Sequence, residues 1–537
     1  MDNIFSAIRK YYWAILSLVA GACTTLAFSP FDITALVFIT LALVFYLWNQ
    51  LSPKQAAVSG WLFGIGLQCS GVSWIYYSLH VHGSAPAFFA ATLIFLLCSY
   101  LSLYTGLAAY VINRFLPAQP ALRLMVFYPA SWLIFEWLQG YVMTGFAWMQ
   151  LGYTQIDTPL SGFAPLLGNH AVGGLVAVSA GIITWLLVQG RGLRAWTAAV
   201  SSMVLVVIWV TGGLLKNIDW TQADGEPIKV SVIQGNIAQK DKWKPYMKLP
   251  TMKRYREMSL AQESVDLIVW PETAVPNYRH RVVPYIDQLR RDMRASDTDL
   301  LLGIFVKNDQ GGVLNSVMSI NGRGVDSQGV AGHELTDHEL KDQVLQDQAL
   351  PDQSNNDDIS VYHKRHLVPL GEYIPLRFLI EFFNRFVKIP MSDIASGADD
   401  QPLINVAGVP AGITICFEEA FSRDLIRDLP QAKILVNVSN DAWFEDSHEP
   451  HQHHTIARMR ALETGRYMIR STNTGITSII GPHGEVIDRL PQFKVATLNA
   501  EVQPLTGATP YVRWGDWLIL GLCCVLLICA VIVRRRS

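Results

Sequence analysis

Charge is what this chain has least of. Asp, Glu, Lys and Arg make up 16 % of its 537 residues, and 51 % are hydrophobic, whereas a soluble domain carries about 25 % charged residues. A uniformly solvated globule is excluded, and so is a disordered chain. The formal net charge of −2 comes without a basic patch, so there is no electrostatic footprint for nucleic acid. Cysteine is scarce outside apolar sequence. Cys23, Cys69, Cys98, Cys523, Cys524 and Cys529 fall in long hydrophobic runs, and only Cys416 does not. With no soluble partner, Cys416 is excluded from a structural disulfide within the chain. It is then either an inert thiol closing a strand or a reactive one. The sequence also lacks internal repeats and a Gly-rich phosphate loop followed by lysine.

What is present divides in two. Eight apolar segments, at approximately 11–29, 33–49, 57–78, 87–112, 123–142, 164–189, 195–215 and 516–533, each approach membrane-spanning length. They predict a polytopic α-helical membrane bundle of eight transmembrane helices. The first lacks a small-residue cleavage pattern and reads as a retained helix. Gly64, Gly66 and Gly71, and again Gly168, Gly173 and Gly174, mark stretches where re-entrant pieces could form. Lys and Arg occupy alternate connections: Arg9 and Lys10, Lys54, Arg114 and Arg123, Arg191 and Arg194, and Arg534 to Arg536. The connections around 29–32, 80–86 and 140–159 have none. The positive-inside rule therefore predicts cytoplasmic termini and an external domain between segments seven and eight. Glu136, in an apolar run, suits either a helix-end structural role or a substrate role.

The expected domains are residues 1–218 (seven helices with outer loops), 225–505 (soluble) and 514–537 (helix eight with a basic tail). The soluble part shows strand-like runs at Ile228–Gln234, Val265–Trp270, Leu300–Phe305, Ser316–Ile320, Ile413–Phe417, Ile434–Val438, Thr477–Ile480 and Val495–Leu498. Helical patterns fall at Lys248–Gln262, Val283–Ala295, Ala420–Asp428 and His454–Arg470. Alternation of this kind over about 280 residues predicts a layered α/β domain. Residues 322–358 are polar and poor in aromatics, an exposed insertion.

Three reactive side chains follow strand-like runs. Glu272 ends Leu267-Ile268-Val269-Trp270-Pro271-Glu272, Lys364 follows Val361-Tyr362-His363, and Cys416 closes Gly412-Ile413-Thr414-Ile415-Cys416. A thiol needs a base to become a nucleophile, and a fixed cation stabilises the oxyanion formed when it attacks an acyl group. Glu, Lys and Cys have complementary jobs in acyl transfer. Each taken singly is also compatible with a surface charge, a buried pair or an inert thiol.

Together the strings resemble the Glu-Lys-Cys signature of the nitrilase (carbon–nitrogen hydrolase) superfamily. With the membrane segments, the chain resembles the bacterial apolipoprotein N-acyltransferase family over nearly its full length, the 322–358 insertion apart. Further matching strings are Gln234-Gly235-Asn236-Ile237, Lys242-Trp243, Gly371-Glu372-Tyr373-Ile374-Pro375 and Asn437-Val438-Ser439-Asn440-Asp441-Ala442-Trp443-Phe444. So are the runs Ala457 to Arg466 and Arg470 to Thr477, and the outer-loop string Thr144-Gly145-Phe146-Ala147-Trp148.

The resemblance implies a nitrilase-like αββα sandwich outside a bacterial inner membrane. It implies transfer of an acyl chain from a glycerophospholipid, typically phosphatidylethanolamine, through a cysteine thioester. The acceptor would be the free α-amine of the N-terminal S-diacylglyceryl-cysteine of an apolipoprotein. Carried onto these positions, Glu272 is the general base, Lys364 the oxyanion stabiliser and Cys416 the nucleophile, with Glu372 and Glu418 as supporting carboxylates. Asn236, Trp243, Phe417, Phe146 and Trp148 are the expected lining, with Phe417 in place of a tyrosine common in the family. For Phe146 and Trp148 the alternative is anchoring at the membrane interface. No cofactor is implied, and the expected protein is a monomer in the bilayer. His448, His451, His453 and His454, with Asp446 and Glu449, form a polar turn to which no metal is assigned. Two other readings predict different behaviour: a tethered amidase needs no lipid, and a scaffold or transporter tolerates loss of Cys416.

Overall fold

The computed structural model describes residues 2–189, 195–323, 359–369, 371–373 and 394–536. The insertion beyond Arg323, and Ile374 and Pro375 of the Gly-Glu-Tyr string, lie outside the described residues. Helices Asp2–Thr24, Ala35–Gln50, Pro53–Gly71, Ala87–Phe115, Tyr128–Gln139, Ala164–Gln189, Ala195–Leu215 and Trp517–Arg536 fall on the apolar runs. Among the described residues, 4 stretches are long and apolar enough to cross a membrane: Ala87–Phe115, Pro159–Val188, Ala195–Leu215 and Trp517–Arg535. Each of the eight expected apolar runs thus carries a helix, and four of them meet that length and hydropathy criterion. Tyr11–Ala27 and Ala35–Gln50 are apolar but shorter. The fifth run is split, since a π turn at Arg123–Phe127 precedes the 12-residue helix Tyr128–Gln139.

The glycines of the third run do not make a re-entrant piece. They lie in the helix Pro53–Gly71, where a methyl group at Gly66 would collide with the Leu18 carbonyl oxygen. Small residues there let backbones cross closely, the usual device where lipid offers no hydrophobic drive for association. Gly168 does interrupt its helix, with φ of 81°.

The soluble part has two face-to-face sheets. In one, strands run in the order Ala496–Val502, Ile228–Gln234, Leu267–Val269, Asp299–Lys307, Val313–Ile320, Ile359–His363, with Val275–Tyr278 beside Asp299–Lys307. The other runs Val486–Arg489, Ser478–Ile480, Met468–Thr472, Ile434–Ser439, Val409–Ile415, Ile404–Val406. Period-two patterning decides which side each residue faces. Val230, Val232, Leu267, Val269 and Leu301 meet Ile413, Ile415, Ile434, Val436 and Val438 in the core between the sheets. The opposite face of the first sheet, with Ile268 and Leu302, packs on helices Pro245–Leu260 and Val283–Ala295 through Tyr255, Ile286 and Leu289. Behind the second, Leu435, Met468 and Ile480 meet Leu425, Ala457 and Ala461 of the helices Ser422–Leu425 and Glu449–Thr464. The result is an αββα sandwich.

The last helical expectation, His454–Arg470, is corrected. The helix starts earlier and ends at Thr464, where Gly465 takes the left-handed conformation (φ of 62°). Met468–Thr472 is a strand parallel to Ile434–Ser439. The helix is buried nearly throughout because it lies between its sheet and the membrane bundle. Trp74 and Trp148 Nε1 both donate to Gln452 Oε1 at 3.1 and 2.7 Å, and the Asn169 amide donates to Glu463 Oε1 at 2.6 Å. These bonds seat the sandwich on the bundle.

Candidate active site

Both sheets bring strand ends to one buried site, where Glu272, Lys364 and Cys416 feel one another's charge, and of the three only Cys416 lines the adjoining cavity. Glu272 follows Leu267–Val269, Lys364 is the residue after Ile359–His363, and Cys416 is the residue after Val409–Ile415. Strand ends in layered α/β folds are where distant chain positions converge. Cys416 turns the chain from strand into a short 3₁₀ turn with φ of 53°, a conformation that costs a non-glycine residue energy and is found at functional turns.

The carboxylates form a connected frame. Lys364 Nζ donates to Glu372 Oε1 at 2.8 Å, and Asn315 Nδ2 donates to Glu272 Oε1 at 2.7 Å and Glu372 Oε1 at 3.3 Å. The Val368 amide holds the other Glu372 oxygen at 2.8 Å. Glu418 accepts from the amides of Arg365 (2.6 Å), His366 (3.0 Å) and Ile415 (2.7 Å) and from the Tyr362 hydroxyl. One buried carboxylate thus joins the loop after Lys364 to the strand end before Cys416.

Burial dominates the electrostatics. It pushes the Cys416 thiol well up, the nearby Glu272 charge adds to this, and the Lys364 cation opposes it. Burial also raises Glu272, with Lys364 opposing and Glu372 reinforcing. For Lys364 burial acts downward, but Glu372, Glu272 and Cys416 outweigh it and keep the ammonium protonated. Burial lifts Glu418 to about 7 against the backbone donors that favour its charge. The thiol is thus protonated at rest, with a carboxylate of raised basicity and a fixed cation in its electrostatic neighbourhood.

Cys416 opens onto a largely apolar cavity of about 240 Å³. Phe417, Phe146, Trp148 and Val368 line it near the thiol, and Leu93, Ile94, Leu97 and Leu101 line it further off. Those four lie on Ala87–Phe115, a helix of membrane-spanning length. The cavity joins the Cys416 thiol to side chains of that helix.

The comparisons agree with that pairing. An apolipoprotein N-acyltransferase N-terminal domain model matches residues 20–182, and a carbon-nitrogen hydrolase model matches 229–511. The apolipoprotein N-acyltransferase of Methylococcus capsulatus is 37 % identical over 97 % of this chain and 96 % of its own length. That of Nitrosomonas europaea is 38 % identical over 97 % of both, and that of Pseudomonas syringae pv. tomato 36 % over 97 % of both. The chain belongs to the apolipoprotein N-acyltransferase family. It is an acyltransferase built on a carbon–nitrogen hydrolase fold.

Within this family member, Phe417 stacks on Trp148 with ring centroids 6.1 Å apart, and Phe146 approaches Phe417 at 6.3 Å. Asn236 and Trp243 are not among the cavity's lining residues. The Asn236 side chain donates to the Phe493 carbonyl, and Trp243 stacks on Phe305. Trp243's neighbour Lys242 touches the site instead: its buried Nζ donates to the Glu272 carbonyl at 3.1 Å, and burial pulls its pKa down to about 7. Glu136 accepts from the Leu151 amide at 3.0 Å and from Trp132 at 3.3 Å, so it ties its helix to the turn Leu151–Gln155.

Sequence reading missed Asn315, Tyr362 and Lys242 as site residues. Lys242 stood in a matching string, but the other two carry no local signal because their partners are tens of residues away. The four histidines diverge. His448 packs edge-on against Phe31, His454 bonds Ser478 Oγ at 3.0 Å, and His453 turns toward Cys416, its Nε2 3.2 Å from the Cys416 carbonyl oxygen.

Proposed function

We propose that this protein moves one acyl chain from a glycerophospholipid to the α-amine of the N-terminal S-diacylglyceryl-cysteine of apolipoproteins, through a thioester on Cys416. The observation that carries it is the apolar cavity leading from Cys416 to Leu93, Ile94, Leu97 and Leu101 on a spanning-length helix. A small polar amide substrate needs no such passage. An acyl chain does, since each methylene kept out of water is worth about 0.8 kcal/mol.

Glu272 takes the thiol proton as sulfur attacks the ester carbonyl, and Lys364 Nζ stabilises the oxyanion. The intermediate collapses with cleavage of the ester C–O bond, and the lysophospholipid alkoxide leaves with the proton held by Glu272. The acceptor amine then attacks the thioester. Glu272 receives an amine proton, the C–S bond breaks, and the thiol is restored by that proton. An ester becomes a thioester and then an amide, so the sequence runs without ATP. The donor is phosphatidylethanolamine in this reading, and one protein molecule suffices. The eight apolar runs act as eight spans in a bacterial inner membrane, with cytoplasmic termini and an external sandwich, in line with the alternating Lys and Arg. Glu372 and Glu418 position the Lys364 and Cys416 segments.

The test is the intact mass of detergent-purified protein after incubation with a defined diacyl phospholipid, beside Cys416→Ala. A gain of one acyl chain, reversed by hydroxylamine and absent from the variant, is expected. Folded wild-type protein that gains no mass from any phospholipid refutes the reading and favours a small-substrate amidase.

A further inference from the structure

Behind Cys416 lies a buried ionic cluster to which the reaction above gives no role. Arg470 Nη1 donates to Glu419 Oε2 at 2.6 Å and to Asn437 Oδ1 at 3.0 Å, and its Nη2 donates to Asp441 Oδ2 at 3.2 Å. The Ser439 hydroxyl donates to the remaining Asp441 oxygen at 2.5 Å. One guanidinium is therefore shared by two carboxylates. A third, Glu449, is 2 % exposed and lies outside that exchange. Its Oε1 is 3.3 Å from His453 Nδ1, and its Oε2 is buried with no hydrogen-bond partner. Glu449 and His453 both line the cavity that holds Cys416.

Burial and the Asp441 charge lift the Glu449 pKa to about 7 against the opposing His453. The bare oxygen is satisfied either by a proton or by a donor from a ligand, and left with neither at a buried cavity wall it is costly. The cavity is apolar, and the cluster holds three carboxylates, Glu419, Asp441 and Glu449, against Arg470 and His453. A cation fits better than an anion. Asp441, Glu449 and His453 lie close enough together to suggest a metal. However, both Asp441 oxygens already accept, one of them from a guanidinium that a metal ion would have to face. A ligand bearing N–H donors answers the free Oε2 directly.

We infer that Glu449, held by His453, binds the primary ammonium of a substrate lying in this cavity. The inference rests on the acyl-transfer reading, which supplies two such groups: the α-ammonium of the acceptor cysteine and the head-group ammonium of an ethanolamine phospholipid. Position N1 of the helix Glu449–Thr464 gives the carboxylate a structural use as well, through the helix dipole, and the test has to separate the two roles.

Glu449→Gln keeps the size of the side chain and an oxygen for His453 but removes the charge. Three rates are compared with wild type: Cys416 acylation from phosphatidylethanolamine, acylation from phosphatidylglycerol, and transfer from the preformed thioester to a peptide starting with S-diacylglyceryl-cysteine. A charge-assisted hydrogen bond lost corresponds to about tenfold to a hundredfold. If the acceptor amine is bound, transfer falls by that factor through a raised KM for the peptide, with both acylation rates unchanged. If the head group is bound, only acylation from phosphatidylethanolamine falls. Equal losses in all three rates, or no loss, overturn the assignment. Glu449→Asp retains the charge on a shorter side chain and is expected to lower the same single rate as Glu449→Gln by a smaller factor, about threefold. Should the Gln variant fail to fold, an Asp variant with all three rates unchanged or equally lowered overturns it. Wild-type protein that forms no thioester from either phospholipid refutes the acyl-transfer reading itself, a result distinct from any behaviour of the variants.

Discussion

Replacing Glu418 by glutamine tests whether one buried carboxylate sets the distance between cation and nucleophile. Its Oε1 accepts from the amides of Arg365 and His366, and its Oε2 accepts from the amide of Ile415, the residue before Cys416. In Glu418→Gln the amide oxygen can serve Arg365 and His366. The new NH₂ group then faces the Ile415 N–H, donor against donor, and that buried amide is left without an acceptor. The loss is about 1–3 kcal/mol, which in a domain of this size lowers the melting temperature by roughly 2–12 °C. The larger effect is on rate. Relaxation of the strand end displaces Cys416 relative to Lys364 and Glu272, and a misplacement near 1 Å costs about 100-fold. The assay is the initial rate of Cys416 acylation from a diacyl phospholipid, followed by intact mass, with thermal unfolding measured in the same detergent. Acylation reduced by less than threefold in a variant that melts with wild type would refute the clamp. A variant that melts lower but acylates normally would reduce Glu418 to a structural tie.

Lys364→Met removes the cation between Glu372 and Glu272 and leaves buried carboxylates unpaired, at about 3–5 kcal/mol. A lower melting temperature should accompany a loss of acylation of about 10²–10³. The pH dependence follows from the raised carboxyl groups. Glu272 and Glu418 both titrate above the ordinary carboxylate range, Glu418 at about 7. Both work as anions, so activity is held above about 7 and is lost as pH falls through that value, where Glu418 takes up its proton, and protonation of Glu272 above the ordinary carboxyl value of about 4.3 adds to the loss. A flat acylation rate from pH 8 to pH 5 would contradict this. Leu97→Trp narrows the far part of the cavity and should slow acylation from long-chain donors more than from short-chain ones. An equal effect on both would place the acyl chain elsewhere.

Some of this was written locally. Ile228–Gln234 and Val283–Ala295 fall where their patterns place them, since each pattern is set by which face a residue buries and by its near neighbours. Val275–Tyr278 was not legible, because Pro276 and Asn277 disfavour a strand and only pairing with Asp299–Lys307 makes it one. Met468–Thr472 was misread as helix for a related reason. Its strand exists by pairing with Ile434–Ser439, about thirty residues back. In the membrane half, apolar content located the helices, whereas the π turn at Arg123–Phe127 is a matter of backbone geometry that composition does not register.

By itself the sequence determined the division into apolar runs and a layered domain, and it singled out Glu272, Lys364 and Cys416, with Glu372 and Glu418 added by the family resemblance. Those features depend on side-chain chemistry and on short-range periodicity, both of which are written in neighbouring residues. Only the tertiary structure decided that Glu418 ties the Lys364 loop to the Cys416 strand, and that Glu449 is left outside the Arg470 cluster. It also decided that the cavity runs from the thiol to the helix Ala87–Phe115. Each of these is a contact across many tens of residues. Its energy comes from burial and from hydrogen bonds that exist once two sheets and a membrane bundle have closed around it, and no local stretch of sequence encodes it.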